Sequence, residues 1–443
     1  MIDLASVSRM ASGGSPWRGY ALVAIVIVIV LATTGVWNPW PQVWGWVNTS
    51  EPIAGGAARW QTRIGGSPQS VSIVEDAVVV EYRTSVEAYG LTAGVKLWDS
   101  DADWAAIAGD GANAVVATGR LLTKGYQVLD PRTGAQLRAD TEATAVWTYR
   151  NALLDLHCAK GGDCALTAWA PRGTKPLWSV DTGGIGFVLN AANPDLPDTR
   201  RLTADRVDDD VARPRLMPSL IGLPDDGKVR VIDTATGRVV QIAQPAADQR
   251  IAIAGGRVLT VTGVARDGTC YYGVVATGPP SSAPVWQREG LNLRTAENGS
   301  NCKQENDPAG GEDVVLGVDP TGREELLAGH DGRILWRGER DEKVLTVNDN
   351  YAVIRSADSG TLRGHNLSRG KKGWSRPAGE NAAAALTPYA VILTSRKPER
   401  VVALVPSSGR VLADVRTDAV VFAVAAGGMI AVSGRDMAYL PFT

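Results

Sequence analysis

The sequence predicts an all-β fold, an eight-bladed β-propeller of four-stranded blades preceded by one N-terminal transmembrane helix, with seven or nine blades as alternatives. Three observations carry this. A phrase of β-rich run, Gly-bearing turn and strand closing in Leu-Trp or a near variant recurs along the chain. Successive closings lie 38 to 62 residues apart, mostly near 40. One charge-free apolar run precedes them all. A strand-filled period of that length means stacked sheets, because one such sheet cannot bury both of its faces alone.

The N-terminal elements come first. Residues 1–18 read as a short cytoplasmic tail, 19–37 as a signal-anchor helix, 38–58 as a Trp/Pro-rich linker and 59–443 as the propeller. Nineteen helical residues reach about 28 Å, close to the thickness of a bilayer core. Arg9 and Arg18 precede the span, while 38–58 carry only Glu51. That bias puts the tail inside and the propeller outside. A cleaved signal peptide has a shorter apolar stretch.

Within the first repeat, strands are expected over 70–74, 77–82, 86–91 and 95–99. The run Val78-Val79-Val80 suits a strand buried on both faces. Leu91-Thr92-Ala93-Gly94 is the hairpin turn, where Gly tolerates the positive φ that other residues resist. Trp98 is then free to wedge between neighbouring sheets. Asp130-Pro131-Arg132-Thr133-Gly134 and Asp233-Thr234-Ala235-Thr236-Gly237 keep the turn more fully, each with an Asp placed to cap it.

Blade-closing positions fall to Trp98, Trp178, Trp286, Trp336 and Trp374, with Trp60 near the start. Arg138 and Val240 stand where Trp is expected, and Leu412 closes the last phrase. The fragment around Trp60 lacks upstream strands, and those over 429–433 and 437–442 lack a closing strand. Joined, they complete one blade and remove the open edges of the ring. Eight closings plus this joined blade count nine.

These phrases resemble the PQQ-like, quinoprotein-type propeller repeat, whose unit ends in Leu-Asp-x-x-Thr-Gly-x-x-x-Trp. The likeness covers about residues 59–443. It implies eight blades, and eight is the expectation carried forward, since 313–336 hold two turn signals that allow a blade to be counted twice. Dehydrogenases of that family hold their quinone under a disulfide of adjacent cysteines, which this chain lacks. The Trp-, Arg- and Gly-rich composition looks actinobacterial.

Cys158 and Cys164 bracket a hairpin turn and can pair across two strands; Cys270 and Cys302 would then tie a blade strand to the insertion after it. Four cysteines in an exported chain favour disulfides. A metal site of His157, Cys158 and Cys164 is disfavoured, because adjacent strand residues point to opposite faces. No metal or cofactor is expected.

A net charge of −2 over 443 residues argues against nucleic acid as a partner. Two insertions, near 183–215 and 291–312, interrupt the repeats. The first carries Arg200, Arg201, Asp208, Asp209, Asp210 and Arg213, a candidate interaction loop, since contact residues often sit on loops over a rigid scaffold. No nucleophile elbow occurs, and the only histidines are His157, His330 and His365. The expected function is a membrane-anchored, extracytoplasmic interaction scaffold for cell-envelope proteins, without catalysis and with its small-molecule ligand unknown. The alternative is a quinone- or glycan-binding propeller with oxidoreductase or related activity in its central funnel.

Overall fold

The repeats fold as nine sheets, and the correction to eight blades begins with how the chain ends meet. Trp60–Arg63 pairs antiparallel with Asp436–Pro441, Trp60 opposite Tyr439 and Arg63 opposite Asp436. The N-terminal strand thus forms the outer edge of a blade whose inner strands are Val420–Ala425, Gly428–Ser433 and Asp436–Pro441. Each of the eight other closings belongs to a sheet of its own. Residues 313–337 belong to a single blade: Asp319 to Gly322 turns its middle hairpin and His330 to Gly332 its outer one. Neither turn is counted twice, so nine stands.

This is a computed structural model, and it describes residues 53–159, 162–183, 215–225, 227–293, 302, 313–379, 382–396 and 399–443. The helix expected over 19–37 lies outside them. Among the described residues no helix is long and apolar enough to cross a membrane, and the one helical element is a 3-10 turn, Gly111–Asn113.

We number the blades in chain order, the one joining both chain ends being blade 9, and letter strands a to d from the inside outward. First strands of neighbouring blades touch one another, as Ser70–Val74 touches Val420–Ala425. Fourth strands such as Lys96–Ser100 and Gln136–Asp140 show mostly solvent-facing residues. In an antiparallel blade, a–b and c–d turns share one face of the ring; b–c turns and blade-to-blade connections share the other.

The core follows from this geometry. Among the described residues nine separate apolar clusters are buried, each between two consecutive blades. Val79 and Val86 of blade 1 pack with Ile107 and Val116 of blade 2, for instance, while Val78 and Val80 face blade 9. The β-branched run is therefore buried on both faces, as its composition requires.

In blades 1 to 8 the register between strands c and d shifts by one residue just before the closing position. The bulged residue is Leu97 in blade 1, Leu137 in blade 2 and Val240 in blade 4. Gln241, opposite Val231, is thus the true counterpart of Trp98, and the sequence-level placement of Val240 there is one residue out. In blade 8 the counterpart is Ala413.

Blade 4 has three described strands, Leu220–Asp225, Lys228–Asp233 and Arg238–Ala243. Thr234 donates its N–H to the Ser219 carbonyl, as Leu91 does to Asp76 in blade 1, which marks these strands as b, c and d. Blade 6 keeps two residues of strand a, Asn292–Leu293. Both insertions therefore fall where an innermost strand belongs.

Candidate functional site

Blade closure is built from three parts. The Trp60 Nε1 donates to the Leu91 carbonyl at 2.7 Å, Trp98 to Pro131 at 2.8 Å, Trp178 to Thr234 at 2.7 Å, Trp286 to Gly329 at 2.8 Å and Trp374 to Pro406 at 2.9 Å. Each acceptor lies in the c–d turn of the next blade. Each ring also covers that turn's glycine, Gly94, Gly134, Gly237, Gly332 or Gly409, all at positive φ. Trp336 packs instead on the apolar cluster between blades 6 and 7. Arg138 replaces the indole with a guanidinium: its Nη1 donates to the Gly173 carbonyl at 2.8 Å, and its Cζ lies over the Trp169 ring, 4.2 Å from the centroid. These residues hold the ring together.

The face carrying the a–b turns has a cleft of about 510 Å³ at the mouth of the ring, lined by turns of blades 8, 9, 1, 2 and 3. Its lining includes Tyr389, Val424 and Ile107. The charges there are committed: Arg150 Nε lies 2.7 Å from Asp110 Oδ2, and Glu75 lies 3.2 Å from Arg132 Nε. On the same face His330 Nδ1 sits 2.7 Å from Asp313 Oδ2 while the His330 N–H donates to Oδ1. This pair clamps the turn of blade 6.

The opposite face is where the repeat is elaborated. Cys158 and Cys164 stand directly opposite each other in strands Leu153–Cys158 and Cys164–Trp169 and form a disulfide. Cys270 pairs with Cys302, at the tip of the long hairpin Arg257–Arg266 and Thr269–Thr277. Both disulfides thus lie on the b–c face, in blades 3 and 5. The two insertions leave from that face too, after Gly183 and Leu293. The expected interaction loop of Arg200, Arg201, Asp208, Asp209, Asp210 and Arg213 lies outside the described residues. Apolar side chains stand in solvent along the same arc: Leu121 and Leu122 of blade 2, Ile242 of blade 4 and Tyr271 of blade 5, Leu122 being 97% exposed.

Between these tips lies a second cleft, of about 770 Å³, bordered by Lys124, Glu142, His157, Asp163, Asp181 and Arg230. Behind it one grouping of metal-capable atoms stands out among the described residues: those of Asp140, Asp155 and His157 all fall within 4.8 Å of one another. His157 Nε2 is 3.2 Å from Asp140 Oδ2 and 3.8 Å from Asp155 Oδ1. The Asp155 carboxylate raises the imidazole pKa above its ordinary value; burial opposes this, and Asp140 and Glu142 add to it. Asp140 and Asp155 escape sequence reasoning because they belong to different blades. The readable signal was Asp155-Leu156-His157, since alternate residues of a strand share a face.

No protein family profile and no characterised relative matches the sequence. Solved structures do. The chain is similar to BamB from Moraxella catarrhalis, at 13% identity over 86% of this chain and 100% of that one, TM-score 0.38. A quinohaemoprotein alcohol dehydrogenase from Pseudomonas putida matches at 10% identity over 88% and 76%, TM-score 0.37. Apo AztD from Citrobacter koseri matches at 12% over 81% and 97%, TM-score 0.39. The propeller assignment rests on the nine sheets themselves.

Proposed function

We propose that this chain is an extracytoplasmic interaction scaffold of the cell envelope, docking protein partners on the b–c face of blades 2 to 5. One observation carries the reading: both disulfides, the long hairpin of blade 5 and the exposed Leu122 and Tyr271 gather on that face in one arc. Disulfides persist in oxidising compartments, which supports a place outside the cytoplasm. Hairpins stiffened by disulfides and carrying apolar tips favour a protein partner, since contact residues often sit on loops over a rigid scaffold. Nucleic acid does not fit a chain of net charge −2.

The test is a photo-crosslinking amino acid placed at Leu122, at Tyr271 or, on the outer wall of blade 1, at Leu97. The scaffold reading expects the same envelope protein from the first two positions in intact cells. Equal capture from Leu97, or none from Leu122 and Tyr271 with abundant protein, would sink it. The alternative, a quinone-binding funnel, predicts an absorbance change on adding quinone and calcium.

A further inference from the structure

We propose that Asp140, Asp155 and His157 form a binding site for one divalent transition-metal cation at the junction of blades 2 and 3. The site stands independently of the scaffold reading, and its argument is how each carboxylate is held. Asp155 is fully buried on strand b of blade 3. Its Oδ2 accepts the Tyr126 hydroxyl hydrogen at 2.7 Å, and that hydroxyl accepts from Arg138 Nη2 at 3.1 Å. Its Oδ1 has no hydrogen-bond partner and faces the imidazole. A buried carboxylate oxygen left unpaired forfeits its solvation with nothing in return, a loss that a bound cation would offset. Asp140 repeats the arrangement from the end of strand d of blade 2: the backbone N–H groups of Glu142 and Ala143 donate to its Oδ1 at 2.8 Å, and its Oδ2 faces His157.

Each carboxylate therefore has one oxygen fixed by an outer partner and the other aimed at a common point. This is how protein metal ligands are oriented, with outer hydrogen bonds setting the direction of the inner atoms. Donor atoms about 2.0–2.2 Å from a zinc ion stand about 3–3.5 Å apart, so a trio at 3.2 and 3.8 Å from the imidazole, with all three atoms within 4.8 Å of one another, closes on a metal by drawing inward. One imidazole and two carboxylates suit zinc, manganese or iron better than thiol-seeking copper(I), while calcium prefers an all-oxygen shell. The neighbouring cleft leaves the remaining coordination positions to water.

A protonated imidazole bridging both carboxylates is the competing account, and a metal titration separates the two. The purified full chain, stripped with chelator, is titrated with zinc chloride by calorimetry, with thermal unfolding followed in parallel. The proposal expects one equivalent of zinc bound by the wild type with a raised unfolding midpoint. His157→Gln and Asp140→Asn should each weaken binding about tenfold or more, and Tyr126→Phe, which only positions Asp155, about tenfold. His330→Gln, on the other face, should bind as the wild type does. Because Asp155→Asn risks misfolding at a buried position, the proposal is judged on the other variants, each checked for wild-type circular dichroism without metal. Equal zinc affinity in wild type and His157→Gln, loss only in His330→Gln, or no uptake of zinc or manganese by the wild type would each overturn it.

Discussion

The indole of Trp374 is held between two glycines: Gly364, opposite it on strand c of its own blade, and Gly409 in the outer turn of blade 8. A Cβ at Gly409 would lie 2.6 Å from Trp374 Cγ, and Gly409 is at φ +67°. The ring anchors itself by donating to the Pro406 carbonyl two residues into the same turn. Trp and Gly are thus one device divided between adjacent blades, which is why both recur at the same period.

Gly409→Ala should lower stability by about 3 kcal/mol, combining strain at positive φ with overpacking against the indole. Gly322→Ala serves as the control, because Gly322 has φ +82° with nothing within 4 Å of the added methyl. It should cost only the backbone term, about 1–2 kcal/mol. Denaturant midpoints of both variants check this; equal losses would mean the tryptophan contact contributes nothing.

Arg138 does the work of an indole with different chemistry. Its fork reaches the Gly173 carbonyl while its Cζ lies over the Trp169 ring. Lysine keeps the charge but loses both the planar stack and the directed fork. Arg138→Ala and Arg138→Lys should therefore each destabilise by about 1–3 kcal/mol. A Lys variant as stable as the wild type in urea unfolding would contradict this role.

Sequence reasoning reached what is local. Gly94, Gly134 and Gly237 announce turns that must visit positive φ, and Trp60 announces an outer strand in search of a sheet. Blade number was legible too, since eight closings and one joined blade count nine; the expectation of eight came from resemblance and displaced the count. Val240 was misplaced because an apolar residue is favoured where Trp is expected; the four-residue step from turn glycine to closing position, Gly94 to Trp98 and Gly134 to Arg138, leads from Gly237 to the polar Gln241. The convergence of Asp140 on Asp155 and His157 was hidden, because it depends on how blade 2 packs against blade 3. Pairing between blades leaves no spacing in the chain.

Glu87 joins strand c of blade 1 to the ring closure. Its carboxylate receives Lys96 Nζ at 2.9 Å, the Tyr89 hydroxyl at 2.6 Å and the Tyr82 hydroxyl at 3.0 Å; Tyr82 in turn accepts the Gly65 N–H. Burial alone would raise its pKa, but the donors outweigh it and hold the group below the usual carboxylate range, while burial and Glu87 push both tyrosines far up. A depressed folded value means stability that is fully present above the unfolded pKa, about 4.3, and lost as pH falls through the folded value. Glu87→Gln should remove that acid-side slope. Thermal midpoints between about pH 2.5 and 6 check it, and parallel curves for the two proteins would refute it.

The two disulfides close very different loops, 6 and 32 residues in separation. Cross-linking stabilises largely by removing freedom from the unfolded chain, and the effect grows with the logarithm of loop length. On that basis Cys158–Cys164 is worth about 2 kcal/mol and Cys270–Cys302 about 4 kcal/mol. Cys164 is also buried in the apolar cluster between blades 3 and 4, so its removal leaves a void that adds to the short loop's share. Replacing both cysteines of each pair by alanine separates the terms. If chain entropy dominates, the Cys270/Cys302 variant unfolds at the lower denaturant concentration; if packing dominates, the Cys158/Cys164 variant does. The expected order is the first, because the hairpin of blade 3 is already set in register by its own backbone pairing, whereas Cys302 is tied to blade 5 across more than thirty residues of chain.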